Sequence, residues 1–182
     1  MRIKEKDVIN MKHRLILIVL LCSMIPIIEL RGAIPLGAGI SEIEWVSDIF
    51  NIQPGETLPW WLNYIVSVIG NMIPIPFILV FIKSILNFMK RGPKFLSKIA
   101  IWLESKADKH SDRVKASQTI GLILFVGIPL PGTGAWTGAL IAALMGIRLK
   151  TSLPSIFAGV VIAGAIMTLA SYGLVGFLNI FI

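Results

Sequence analysis

The sequence predicts an all-α fold, a polytopic membrane helical bundle with two broken, re-entrant segments. Three observations predict it. Of the 182 residues, 55% are hydrophobic and only 15% are charged. The charges fall in blocks between apolar stretches, and two of those stretches meet clusters of Pro and Gly. Mean hydropathy is +0.83, more apolar surface than a soluble domain of this length has room to bury. A single domain is expected, too small to hold a bundle and a separate soluble catalytic domain.

The net charge of +7 does not indicate a nucleic-acid partner. The Lys and Arg residues flank apolar segments, where anionic lipid and the positive-inside rule account for them. The single cysteine, Cys22, excludes an internal disulfide and a multi-Cys metal site. Val19, Leu20 and Leu21 are too bulky for lipoprotein cleavage before Cys22, and no small-x-small site follows Ile28.

Residues 1–14 are polar and basic. The apolar run Leu15 to Ile28 follows. Its length gives roughly 21 Å of helix, short of the roughly 30 Å hydrocarbon core, so an interrupted or re-entrant segment is expected. The break is expected over residues 29–39, where Pro35 biases Ile34 toward extended backbone and Gly32, Gly37 and Gly39 permit tight turns. Residues 41–59 carry Glu42, Glu44, Asp48 and Glu56 with no Lys or Arg, and Trp60 and Trp61 mark an interface. A crossing helix is expected over 61–82, kinked near Pro74 and Pro76, with Asn63, Ser67 and Asn71 at spacing four on one face.

The linker 83–118 is basic, and Phe95, Ile99, Trp102 and Leu103 follow helical spacing. It reads as an amphipathic helix on the membrane surface, or as a solvated linker with an apolar stripe packed on the bundle. A second short apolar run, Ile120 to Ile128, breaks at Pro129-Leu130-Pro131-Gly132-Thr133-Gly134 and resumes from Ala135 to Ile147. Gly134, Gly138, Ala142 and Gly146 form a ridge of small residues that admits a neighbouring helix. After Pro154, residues 155–182 are expected to span, with Ser155, Gly159 and Ala163 as a similar surface.

The stretch Ile34-Pro35-Leu36-Gly37-Ala38-Gly39 matches Ile128-Pro129-Leu130-Pro131-Gly132-Thr133-Gly134. The chain therefore reads as an inverted repeat. Residues 1–82 hold broken segment 15–40 and span 61–82, residues 83–118 are the linker, and residues 119–182 hold broken segment 119–147 and span 155–182. Corresponding interrupted segments point to a transporter binding site. Peptide groups freed by Pro and Gly cannot face lipid unpaired, so the two loops are expected to enclose a polar chamber near the midplane. The positive-inside rule places the linker, Arg148 and Lys150 in the cytoplasm and the acidic loop outside. Either the first segment crosses as a kinked helix, or residues 1–14 defy the rule; an internal N-terminus and a first segment that is not a simple hairpin is the preferred reading.

Glu29 and Arg31 are the sharpest candidates, the only ionisable residues between Leu15 and Ser41. An intramembrane charge is a functional hypothesis by default. Glu29 is a candidate proton carrier, and Arg31 offers a planar fork to a phosphate or carboxylate. The alternative is a structural ion pair capping a half-helix. Thr133, Trp136, Thr137 and the glycine amides of the second loop would face an anion if they open the helix from Ala135. Trp136 also suits an interface, Arg148 suits ordinary anchoring, and the Asn63/Ser67/Asn71 stripe suits helix–helix hydrogen bonding. The candidate site therefore comprises Glu29, Arg31, Pro35, Gly37, Asn71, Pro129, Pro131, Gly132, Thr133, Gly134, Trp136, Thr137 and Arg148. His13 and His110 lie in charged stretches away from metal-ligand spacing, and no nucleophile elbow, P-loop or dinucleotide fingerprint appears. No enzyme activity, cofactor or metal is expected.

Three blocks carry a family resemblance: Glu29-Leu30-Arg31-Gly32-Ala33-Ile34-Pro35-Leu36-Gly37, Gly70-Asn71-Met72-Ile73-Pro74-Ile75-Pro76-Phe77, and Pro129-Leu130-Pro131-Gly132-Thr133-Gly134-Ala135-Trp136-Thr137-Gly138. Together they resemble the putative small multidrug export protein family, which is similar in architecture to the DedA group of membrane proteins. That group implies two re-entrant loops with charged residues near them, translocation of lipids or lipid carriers, and proton coupling. Residues 41–60 look like an insertion relative to the compact family pattern. The true small multidrug resistance transporters, shorter and with a Glu inside an unbroken first helix, are not similar. The expected function is a multi-pass transporter or anionic-lipid-carrier translocase of the cell membrane, with lipids and protons as partners and a homo-oligomer as a further option. The alternative is a non-transporting scaffold acting through the basic linker.

Overall fold

The computed structural model describes residues 5–39, 52, 56–91, 115–130 and 132–181. The amphipathic linker helix read at Phe95–Leu103, most of the acidic loop and Pro131 lie outside the described residues. Among the described residues the chain is all helical: α1 (Glu5–Met24), α2 (Glu29–Gly37), α3 (Trp60–Met72), α4 (Pro74–Arg91), α5 (Lys115–Gly127), α6 (Ala135–Leu144) and α7 (Leu149–Phe181). They fall into two compact units, one of residues 1–71 and 163–182, the other of residues 72–162.

In the first unit, α1 and α2 pack on each other across a four-residue connection and so fold back as a hairpin. Their shared core is Leu15, Ile18, Val19, Cys22, Ile28, Ala33 and Leu36, joined by Leu58 and Val66. At the open end, the Leu58 N–H donates to the Gly37 carbonyl at 2.8 Å, and Arg14 pairs with Glu56 at 3.0 Å. At the closed end, Gly70 of α3 lies so close to the Leu20 carbonyl and Ser23 that it has no room for a Cβ. Helix α3 therefore starts beside the mouth of the hairpin and reaches its tip near Gly70, a rise of about 15 Å.

The first break is displaced from its expected place. It falls at Ile25–Ile28, where Pro26 ends α1, while α2 runs helically through Pro35. Pro26 follows twenty helical residues and has no N–H for the Cys22 carbonyl, which Ile25 takes instead at 3.2 Å. Pro35 is the seventh of nine residues, so only the bond to the Arg31 carbonyl is lost. The Ala38 N–H closes the last turn on Ile34 and Pro35, at 3.0 and 3.1 Å. Because the hairpin returns, the preferred reading of a first segment that is not a hairpin is corrected: residues 14 and 56–58 sit at one end. Helix α1 also begins at Glu5, inside the stretch read as polar.

The kink near Pro74 is present, since α3 stops at Met72 and α4 starts at Pro74. In the second unit the break at 128–134 falls as expected, between α5 and α6. Helix α6 packs on α4 and α5, with Gly138 against Val126. Gly146 does not continue the small ridge, because α6 has ended and φ there is +68°. Helix α7 starts at Leu149 rather than after Pro154. Pro154 is only its sixth residue, and the Ser155 hydroxyl donates back to the Thr151 carbonyl at 2.7 Å. Gly159 lies against Val126 and the Ile123 carbonyl, the close approach its spacing predicts.

Two stretches are long and apolar enough to cross a membrane, Trp60–Phe81 and Leu149–Leu174. Both spans keep polar side chains inside and large apolar ones outside. Asn63, Ser67, Asn71, Ser152, Ser155, Thr168 and Ser171 are buried, while Ile69, Phe77, Phe81, Phe157 and Leu169 are exposed. Each of those apolar side chains would be favoured by roughly 1.5–3 kcal/mol on leaving water. Trp60 and Trp61 are exposed where the first span begins, the usual place for interface aromatics.

Candidate functional site

In the first unit the polar face of α3 meets α2 and the second half of α7. Asn63 is the hub. Its Nδ2 donates to the Ile34 carbonyl at 2.8 Å and to the Tyr172 hydroxyl at 3.0 Å. The Ser67 hydroxyl donates to Asn63 Oδ1 at 3.5 Å. The Tyr172 hydroxyl in turn donates to the Leu58 carbonyl at 2.7 Å, with the Gly37 carbonyl 3.4 Å away. Gly37 is required here, because a Cβ would overlap the Asn63 carboxamide. One turn beyond Ser67 the polar file reaches Asn71, fully buried, with neither carboxamide atom hydrogen bonded.

Glu29 opens α2 at the hairpin tip and is 5% exposed. Its φ is +48°, the one positive φ at a non-glycine among the described residues. Left-handed backbone costs a non-glycine residue of order 1–3 kcal/mol and persists where surrounding structure imposes it. Here the turn after Pro26 imposes it, with the Glu29 N–H held by the Ile25 carbonyl at 2.8 Å. Arg31 is half-buried, and its charge is attracted by that of Glu29. At spacing two the residues are not neighbours by helical spacing.

The candidates of the second loop lie in the second unit. The Thr133 hydroxyl is held by the loop itself, 2.9 Å from both the Ile128 and Leu130 carbonyls, and it accepts the Leu130 N–H at 3.3 Å. Gly132 and Gly134 take φ of +82° and +147°, conformations that favour glycine. Gly134 caps α6, and its carbonyl accepts the Gly138 N–H at 2.8 Å and the Thr137 hydroxyl at 3.3 Å. Pro129 and Trp136 are half-buried, while Arg148 is exposed and its carbonyl starts α7 by accepting the Thr151 and Ser152 N–H groups.

The structure thus joins Gly37 to the polar file. Pro35 lies inside α2 and turns no loop. Reasoning from sequence left out three residues: Pro26, Asn63 as hub, and Tyr172. Thr168 and Tyr172 at spacing four inside an apolar span were the available signal, since buried hydroxyls need partners. Pro26 was legible as a helix breaker inside the Leu15–Ile28 run.

A family model described as "Putative small multi-drug export protein" matches residues 29–166. None of the curated proteins and none of the solved structures compared matches this chain.

Proposed function

The chain belongs to the putative small multi-drug export protein family, and from that premise we propose a multi-pass membrane transporter that translocates anionic lipid carriers and couples their movement to protons at Glu29. The observation that carries this reading is the buried Glu29, held at positive φ at a hairpin tip two residues before Arg31. A strained, buried ionisable residue is what a working site retains and a purely structural turn has little reason to keep.

The coupling follows from one cation and two rival anions. Arg31 neutralises Glu29 when no substrate is present. A phosphate or carboxylate headgroup binds the guanidinium through its planar fork and displaces the carboxylate. A buried carboxylate deprived of its counter-charge takes up a proton. Release of the headgroup returns Arg31 to Glu29 and expels the proton. No bond of the substrate changes, so the reading is transport and not catalysis.

The hairpin supports a re-entrant reading. Its arm α2, about 13 Å long, reaches roughly half of a 30 Å hydrocarbon core. The second unit repeats the local form of helix, break and short helix, which supports the inverted-repeat reading.

The test is reconstitution into liposomes containing a labelled polyprenyl phosphate. Wild type is expected to move the label between leaflets with accompanying proton movement. Glu29→Gln is expected to uncouple that movement from protons, and Arg31→Ala to abolish it. Equal rates in all three proteins would remove this pair from the mechanism.

A further inference from the structure

Asn71 is where the polar file of the first unit stops without a partner. Its side chain is fully buried, and both Nδ2 and Oδ1 lack a hydrogen bond. A buried carboxamide left unpaired costs about 1–3 kcal/mol per group, and in hydrocarbon no solvent relieves it. Two residues on, the helix is interrupted at Ile73, and Pro74 has no N–H to offer the Gly70 carbonyl. The same short stretch therefore carries one amide donor, one amide acceptor and one freed carbonyl. On the other side, Ser67 lies one turn away on the same face, and its hydroxyl donates toward Asn63. It retains acceptor capacity. Side chains four residues apart on a helix face stand about 5–6 Å apart at Cβ, and their polar ends can close to the separation that one bridging molecule covers.

The occupant must both donate and accept, and it must fit where nothing of the side chain reaches the surface. A cation would satisfy Oδ1 and repel Nδ2, and an anion would do the reverse. We propose that Ser67, Asn71 and the Gly70 carbonyl hold a bound water within the Trp60–Phe81 span, and that this water is a station on the path by which protons reach Glu29. Asn71 is a positioning residue: it fixes the water and carries no proton itself. The placement fits, because Gly70 packs against Leu20 and Ser23 at the tip of the hairpin, the end at which Glu29 begins α2. The relay role rests on the proton coupling proposed above, whereas the water site does not.

Two measurements separate them. In protein with 15N-labelled asparagine, the Asn71 side-chain signal is assigned by its loss in Asn71→Leu. It is expected to show cross-relaxation with water, whereas Asn63, whose Nδ2 is satisfied by Ile34 and Tyr172, shows none. No water contact at Asn71 overturns the site. Proton flux into liposomes is then compared for wild type, Glu29→Gln and Asn71→Leu. Leucine replaces the carboxamide and its water by an apolar group of similar size, a nearly neutral exchange, so Asn71→Leu is expected to melt close to wild type while its flux falls roughly 100-fold, the low end of what a positioned proton-transfer group contributes. Unchanged flux in Asn71→Leu, with Glu29→Gln inactive, overturns the relay and leaves the Glu29 reading standing. Equal flux in wild type and Glu29→Gln removes the Glu29 reading and the relay together, leaving the water site to the asparagine signals.

Discussion

At Asn63 both amide protons and the carbonyl are engaged, and the Tyr172 hydroxyl extends that set to Leu58. Removing one member strands its partners. Tyr172→Phe leaves the Leu58 carbonyl and one Asn63 N–H unsatisfied, which in water-soluble proteins costs about 1–3 kcal/mol. Side-chain hydrogen bonds in membrane bundles average nearer 0.6 kcal/mol, so a loss of about 1 kcal/mol is expected in thermal unfolding of the detergent-solubilised protein. Glycines supply a pair of opposite sign. Gly37→Ala drives a methyl into the Asn63 carboxamide and is expected to cost about 1–3 kcal/mol by overpacking. Gly121→Ala meets nothing within 4 Å inside a helix and is expected to stabilise by about 0.5–1 kcal/mol. The Asn63/Ser67/Asn71 stripe was legible from spacing alone. Its partner Tyr172 was not, because 109 residues separate it from Asn63 and no local pattern encodes that meeting.

Two prolines decide the form of the first helical pair, and the sequence does not announce which one breaks the chain. Pro26 sits inside an unbroken apolar run, whereas Pro35 sits among glycines. Composition favours a turn at Pro35, but packing decides otherwise. Ile34 and Leu36 are buried, Leu36 in the core shared with α1 and Val66, and the Asn63 carboxamide holds the Ile34 carbonyl in place. The core contact outweighs the local proline penalty, as tertiary context commonly does. Pro35→Ala restores an N–H for the Arg31 carbonyl and is expected to raise stability by about 1 kcal/mol, a fraction of the roughly 3 kcal/mol attached to an interior helix proline. Lower thermal stability in that variant would mean that the ring itself shapes α2. The second break was easier to locate, since Pro129, Gly132 and Gly134 act together with two positive φ angles.

For the molecule as a whole, the apolar composition and the interrupted spans were open to reading from the sequence, as was the family, whose blocks begin at Glu29. The direction of the first segment was not. A kinked crossing and a hairpin share one hydropathy profile, and the packing of α1 on α2, the Gly37–Leu58 bond and the Arg14–Glu56 pair distinguish them. In a membrane this places residue 14 on the side where Trp60 begins its span. A cytoplasmic position for the basic stretch after Phe81 would put the N-terminal charges outside, against the positive-inside rule. The Arg14–Glu56 pair neutralises one of them. Modification of a cysteine at position 12 by an impermeant reagent applied outside intact cells is the expected result.

A re-entrant hairpin requires its tip to lie deep among the acyl chains. Ile27, at the turn, is 93% exposed, which suits lipid and suits water poorly. With Cys22 replaced by serine, a fluorophore on Ile27→Cys in liposomes should be quenched by spin labels deep in the acyl chains, and one on Trp60→Cys by labels at the headgroup. Quenching of the Ile27 probe by headgroup labels or by an aqueous quencher on the far side would contradict the account, because the first segment would then cross the bilayer.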